Sequence, residues 1–559
     1  MSTPVNISLF LREQARQEPD RPALVFCRGD GRRRSLVRQS LTFGELEAAV
    51  NKAAQGLARA GFSRGCRTLF LLPPSPAFFI GFFALVRIGA VPVLIDPGMG
   101  LGRLLAAART AHPSALVSVS LAQAASCLLP TYFPDLQRRV TAGRRWFWGG
   151  PRWRDIMAGP EIGPFSPPGG DADLAAILFT SGSTGPAKGV EYSHAALSRQ
   201  VELIGDTLAI GRGDIDCATF PGFSLFTVAL GITAAIPDIN PVRPGFCRPD
   251  NVLAVIRELG CTMSFGSPAL WRRVADHAAR EKTSLPSLQK VVMAGAPVPV
   301  SLHQTLLTGV LSPGAEVFTP YGATECMPVA NCRGSEILAD TAEQTARGGG
   351  VCLGRPVRGL EVAVIRISDQ PIPAWHDDLC CPPGEIGEIT VKAGHASPHY
   401  HNLPAADLLA KIPDQEGFWH RMGDVGYLDQ LGRLWFCGRK SHRVTTPDGT
   451  LFSVPCEAVF NHHPQVARSA LVGVAAGNGL ERPFIIIERR PGARLAPDSL
   501  RQELLSLASA NPLTQNIRDI LFHPAFPVDV RHNAKINREA LAVWAARAAS
   551  GHAGRKEIS

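Results

Sequence analysis

The stretch richest in chemistry-bearing residues is Thr180-Ser181-Gly182-Ser183-Thr184-Gly185, closed three residues later by Lys188. Four hydroxyls and two glycines in six positions suit a turn whose successive N–H groups form a concave anion site. The hydroxyls add donors for phosphate oxygens and the lysine adds a positive charge. A phosphate-cradling loop is one reading; a solvated Ser/Gly connection is the other. The run differs from a P-loop of the GxxxxGK[ST] type, because Lys188 follows Ala187 and precedes Gly189.

The elements around the loop must hold it in place. Ala175-Ala-Ile-Leu-Phe179 has the length and apolarity of a buried strand delivering the chain into it, and the Pro/Gly-rich 159–170 reads as the connection before that strand. Upstream, Thr42 with Glu45 three residues on predicts a capped helix start, followed by strand-like RTLFLL (67–72), a helix near 76–88, strand and turn over 90–98, and ALVSVS (115–120). Downstream, a helix from about Ala195, a strand over 290–300 and a strand over 384–391 are expected. A hairpin over 421–439 turns through Asp-Gln-Leu-Gly. Alternating strands and helices argue an α/β fold with buried parallel strands.

Composition sets bounds on function. At 559 residues the chain needs more than one core. A net charge of +9 suits anionic small molecules or a weakly anionic surface without demanding nucleic acid. Thirteen cysteines, an odd number without repeated CxxC spacing, fit reduced thiols in a cytoplasmic setting. The N-terminal residues lack a signal-peptide layout. The most apolar window, Pro76–Ile95, contains Arg87, Gly89 and Pro92, so it reads as buried helix plus strand and not as a transmembrane segment. RRWFWGGPRW (144–153) is basic and aromatic; it reads either as a membrane or partner contact or as rings capping a core.

Taken together, LTFGEL (41–46), the hydroxyl-rich loop, YGATE (321–325), GEIGEI (384–389), GDVGY (423–427), the GR pair (438–439) and NAKINREAL (533–541) resemble the adenylate-forming superfamily of acyl-CoA synthetases, adenylation domains and luciferases. Within it, ILFTSGSTGPAKGV, FGSPAL, AGAPVP, TPYGATEC and HPAFPVDVRHNAKINRE look like the β-lactone synthetase branch of bacterial long-chain olefin biosynthesis. The resemblance implies a large N-terminal AMP-binding domain (1–438) of mostly parallel sheets with a distorted β-barrel subdomain. It also implies a small mobile α+β lid (439–559).

By the same resemblance, Thr180 to Gly185 and Lys188 cradle the phosphates of ATP, Tyr321 stacks on adenine, and Gly295, Ala296 and Pro297 line the base pocket. Thr324 contacts phosphate and Glu325 holds Mg²⁺ with Thr184. Asp424 and Arg439 take the ribose, and Lys535 reaches the α-phosphate and carboxylate oxygens. The implied substrate is a long-chain 2-alkyl-3-hydroxy acid, and thiolase-like pathway enzymes are the implied partners.

Two departures shape the expectation. Ser441 stands where many members carry a hinge aspartate or lysine, and RVTTPDGTLFSVPCEAVF lacks the IKxxGxxI run of coenzyme A ligases. Pro221 in FPGFSLF replaces a histidine that guards the acyl pocket in relatives, while Phe223 keeps the aromatic element. Both agree with a reaction whose second nucleophile is the substrate's own 3-hydroxyl, to which His194 is a candidate base. The alternatives are a long-chain acyl-CoA ligase or fatty acyl-AMP ligase, and a non-catalytic nucleotide-binding scaffold.

Overall fold

The computed structural model describes residues 6–29, 36–160, 163, 165–179, 187–528 and 536–550. The chain divides into two compact units: Met1–Ala294 with Gln304–Val329 and Ala393–Leu408, and Gly295–His303 with Ala330–Lys392 and Leu409–Ser559.

The first unit is built on two mostly parallel sheets. One runs in the order Arg138–Ala142, Ala115–Val119, Arg67–Leu71, Val91–Ile95, Leu174–Phe179, Gly189–Ser193, all parallel until the last pair, which is antiparallel. The other contains Glu316–Ala323, Lys290–Met293, Met263–Gly266, Ile215–Cys217, Thr233–Ile236 and Pro22–Gly29 in parallel, edged by antiparallel Leu36–Thr42. Helices bury the strands, as the alternation predicts.

Local signals explain where these helices begin. Thr42 caps helix Phe43–Arg59 and accepts from Glu45 N, while the Glu45 carboxylate accepts from Thr42 N, the reciprocal pair that satisfies two free donors. Helix Pro76–Arg87 starts on a proline, where a missing N–H costs nothing, and is apolar nearly all round because it is buried. Arg87, fully inside, donates to both Glu47 carboxylate oxygens at 2.8 and 2.7 Å, to Asn51 Oδ1 at 2.8 Å and to the Ser8 carbonyl at 2.8 Å. The apolar window of the sequence is therefore core. No helix among the described residues is long and apolar enough to cross a membrane.

The strand expected over 290–300 stops at Met293. Gly295 turns the chain at φ +91°, and Pro297 and Pro299 have no N–H to give a ladder.

Fully buried Asp216, on strand Ile215–Cys217, pairs across the sheet with Met263. Its carboxylate accepts from Thr227 Oγ1 and Phe265 N, each at 3.4 Å, yet burial pushes its pKa up to about 7. Between the ordinary carboxylate range and pH 7 the folded chain thus holds a proton that the unfolded chain has released. Raising pH through this window lowers stability, and the loss is complete above about 7. Melting temperature should fall more between pH 5 and pH 8 in the wild type than in Asp216→Asn. Parallel pH profiles in the two proteins would contradict this.

The second unit opens with an antiparallel ladder, Glu361–Ile365, Gly387–Lys392, Gly417–Leu428, Leu434–Arg439, Val351–Pro356. The expected distorted barrel takes this form, an open ladder among the described residues. The hairpin predicted over 421–439 is present. Asp429 fixes its turn by accepting from Leu431 N, Arg433 N and Trp435 Nε1. Past it, strands Val466–Gly477, Leu480–Arg489 and Asp519–Phe522 form a small mixed sheet covered by helices Ser453–Asn461, Pro497–Ser509 and Arg538–Ala549. Residues from Val444 onward pack into two apolar clusters whose buried members all lie in that part of the chain.

Candidate active site

In the first unit, strand Leu174–Phe179 leads to Thr180, Ser181, Gly182, Ser183, Thr184 and Gly185, which lie outside the described residues. The chain is described again from Ala187, and Phe179 pairs with Gly189 across the antiparallel ladder, so both ends of the loop are held by one register. Lys188 sits at this exit with its ammonium 4.7 Å from the centroid of the Tyr400 ring, a cation–π contact.

Tyr400 ties this lysine to the acidic motif. Its hydroxyl donates to Glu325 Oε1 at 2.7 Å, across 75 residues of sequence. The Glu325 carbonyl accepts from Ser397 N at 2.8 Å, and the Thr324 carbonyl accepts from the buried Tyr192 hydroxyl. Segment 395–401 is clipped to strand Gly189–Ser193 in turn. Glu191 N donates to the His399 carbonyl at 3.2 Å, His401 N to the Gly189 carbonyl at 2.7 Å, and His401 Nδ1 meets Glu191 Oε1 at 2.6 Å. Thr324 and Glu325 connect strands Glu316–Ala323 and Cys326–Arg333. Gly322 permits that close return, since a Cβ there would stand 2.9 Å from the Cys326 carbonyl oxygen.

Beneath the motif, Cys326 Sγ lies 3.4 Å from His395 Nε2, both buried. Burial pushes the His395 pKa down to about 4, so the imidazole is neutral at physiological pH. Tyr321 lies half-buried on strand Glu316–Ala323. His194 is buried at the start of helix His194–Leu208 and burial lowers its pKa, a setting that suits a structural histidine better than a proton acceptor open to substrate. Phe223 stacks on Phe265 with ring centroids 4.0 Å apart, inside a cluster with Ile204, Leu208 and Ile210.

The second unit holds the remaining candidates. Gly295, Ala296 and Pro297 lie in the turn after strand Lys290–Met293. Asp424 and Arg439 are directly opposed across the hairpin, with Asp424 Oδ1 3.0 Å from Arg439 Nη1. The aspartate is buried and the arginine half-exposed, so a carboxylate is held rigid while its cation faces outward. The residue before Arg439 must be glycine: Gly438 has φ +135°, and a Cβ would meet Ser453 Oγ at 2.4 Å. After Ser441, His442 has its pKa pushed down to about 3 by burial and by Arg538 and Arg439. Lys535 lies outside the described residues. Val528 and Ile536, which flank its stretch, are bridged to each other.

The structure thus brings together Lys188, Thr324 and Glu325, and separately Asp424 and Arg439. Tyr400, Tyr192 and the Glu191–His401 pair were missed in the sequence. Three histidines and a tyrosine within 395–401 were a compositional signal, but nothing local names their partners.

The site's carboxylate chemistry suits a divalent cation. Among the described residues no three His, Cys, Asp or Glu side chains cluster as a metal cage. Glu325 instead offers a single oriented carboxylate, the kind of hard donor Mg²⁺ uses when phosphates and water complete its shell.

A family model described as AMP-binding enzyme matches residues 11–401. The chain is 43% identical over 554 residues to the olefin beta-lactone synthetase of Stenotrophomonas maltophilia, covering 98% of this chain and 99% of that protein. It is 42% identical over 555 residues to the protein of that name in Xanthomonas campestris pv. campestris, covering 98% of each. Among solved structures it resembles the amide bond synthetase McbA from Marinactinospora thermotolerans (TM-score 0.78, 23% identity, 96% of this chain and 99% of that one). It also resembles the o-succinylbenzoate coenzyme A synthetase of Bacillus subtilis in complex with ATP and magnesium ion (TM-score 0.73, 21% identity, 95% and 98%).

Proposed function

The chain belongs to the AMP-binding, adenylate-forming enzyme family, and from that premise we propose that it closes β-lactones. It activates a long-chain 2-alkyl-3-hydroxyalkanoic acid with ATP as an acyl-adenylate, which the 3-hydroxyl then attacks to give lactone, AMP and pyrophosphate. The observation that carries this is the likeness, over nearly the whole chain, to two olefin beta-lactone synthetases.

A carboxylate is a poor electrophile because oxide is a poor leaving group; joining it to AMP supplies a stable one. Thr180 to Gly185 and Lys188 hold the phosphates, Tyr321 and Gly295 to Pro297 take the base, and Asp424 with Arg439 accepts from and donates to the ribose hydroxyls. Glu325 and Thr184 would hold Mg²⁺, which would offset phosphate charge. Lys535 balances the negative charge that builds as the carboxylate meets the α-phosphate.

Residues 439–559 act as the mobile lid that delivers this lysine. The separate apolar clusters after Val444 support a part of the chain that moves as one body. Once the adenylate forms, the hydroxyl is already tethered to its target, and a chain held curled gains effective concentration without an external thiol. Thirteen free thiols support a reducing, cytoplasmic setting.

The direct test is mass spectrometry of products from a synthetic 2-alkyl-3-hydroxy acid with ATP and Mg²⁺, with and without coenzyme A. Lactone and AMP are expected in both, whereas acyl-CoA alone would reject the assignment.

Tyr400 is a positioning residue in this scheme, since it orients the Glu325 carboxylate and lies under the Lys188 ammonium. Tyr400→Phe keeps the ring and loses one hydrogen bond to a charged acceptor, worth about 1.5–3 kcal/mol. The rate should fall roughly 10- to 100-fold at limiting Mg²⁺, with partial recovery when Mg²⁺ is raised. A loss independent of Mg²⁺ would place the hydroxyl elsewhere in the mechanism.

A further inference from the structure

The basic aromatic stretch has no part in the chemistry above. Residues 136–154 contain six arginines, three tryptophans and a phenylalanine, with no acidic side chain. Arg144, Arg145, Trp146 and Phe147 are all exposed; Trp146 is 55% and Phe147 67% accessible. Single exposed apolar residues are ordinary, but two adjacent large rings beside two cations form a distinct patch.

These rings are held outward on a stiff base. Trp148, immediately after them, is buried and donates its indole N–H to Thr141 Oγ1 at 2.8 Å. Its ring packs under both exposed rings, with centroids 5.4 Å from Trp146 and 5.1 Å from Phe147. Arg145 closes the loop by donating to the Gly150 carbonyl at 2.7 Å. Ser120 Oγ donates to the Arg144 carbonyl, which joins the loop to helix Ser120–Leu128. That helix exposes Leu121 (74%) and Leu128 (73%), seven residues apart on one face. Among the described residues no acidic side chain pairs with Arg144 or Arg145. Among the described residues, the nearby charges of Arg152 and Arg154 pair with Asp155.

We propose that Arg144–Phe147, with Leu121 next to the Ser120 tether, form a docking surface for an anionic phospholipid bilayer. Charge complementarity selects this occupant. Exposed cations unopposed by carboxylates seek a surface of fixed negative charge, while tryptophan and phenylalanine at the tip match the headgroup–acyl boundary. The patch lies within the first unit and would hold the chain at the interface where a long-chain acid is concentrated. It stands on this geometry alone and does not require the lactone assignment.

Vesicle sedimentation tests it without turnover. The full chain should co-sediment with phosphatidylglycerol/phosphatidylcholine vesicles, bind phosphatidylcholine alone at least about tenfold more weakly, and dissociate as salt screens the arginines. Trp146→Ser/Phe147→Ser and Arg144→Glu/Arg145→Glu should each lose at least about tenfold in affinity for the anionic vesicles. Their melting temperatures should fall only slightly, since all four side chains are exposed and the variants lose only the Arg145 bond to the Gly150 carbonyl or the ring contacts with Trp148. Equal binding by wild type and both variants, or none by the wild type, would overturn the proposal. So would a wild type that ignores vesicles yet forms, through these residues, a stoichiometric complex with another purified enzyme; the surface would then belong to a protein partner.

Discussion

Lys535→Ala should leave ATP binding intact while acyl-adenylate formation falls about 10²–10³-fold, the loss typical of removing one preorganised donor from developing negative charge. The expected readout is collapse of substrate-dependent pyrophosphate–ATP exchange with little change in nucleotide affinity. The same variant, given preformed acyl-adenylate, should still release lactone at close to the wild-type rate, because ring closure needs the tethered hydroxyl and not this lysine. Retained exchange would remove Lys535 from the mechanism. Loss of both half-reactions would assign it a role in ring closure as well. The helix Arg538–Ala549 that follows is capped by Asn537, which accepts from Ala540 N, so alanine at position 535 should leave that cap in place.

The second large effect concerns stability. Arg87→Leu should cost about 3 kcal/mol, the low end for breaking a buried pair, because it removes the fully buried partner of Glu47 and leaves that carboxylate only the Arg12 guanidinium and the Asn51 amide, each at 3.2 Å. Glu47 is 13% accessible at its side chain and Arg87 is 0%, so solvent cannot replace the lost pair. Asn51 Oδ1 and the Ser8 carbonyl lose a donor in the same step. The double variant Arg87→Leu/Glu47→Leu should recover part of the loss, since removing both charges also removes both desolvation penalties. Denaturant midpoints of the two variants check this. A double variant no more stable than Arg87→Leu alone would show that the pair is worth more than its desolvation.

Short-range signals were legible in the sequence. The Thr42–Glu45 cap, the helix near 76–88 and the Asp429 turn each rest on residues close in sequence, and each forms as expected. Arg87 was legible as an argument against a membrane span, but Glu47, 40 positions away, was not legible as its partner. Longer-range pairings were invisible for the same reason. Tyr400 reaches Glu325 across 75 residues and His401 reaches Glu191 across 210, distances that only sheet topology closes. The strand forecast through Val300 failed because apolar composition outweighed the backbone requirements of Gly295 and its neighbouring prolines.

Ring closure by the substrate's own hydroxyl is most directly tested by isotope position. A 2-alkyl-3-hydroxy acid carrying ¹⁸O in both carboxylate oxygens is turned over with ATP, and the products are weighed. Activation of the carboxylate transfers one ¹⁸O to AMP and leaves one in the lactone carbonyl, with the ring oxygen unlabelled. Unlabelled AMP beside a lactone holding both ¹⁸O atoms would mean that the hydroxyl, not the acid, had been activated, and would contradict the account.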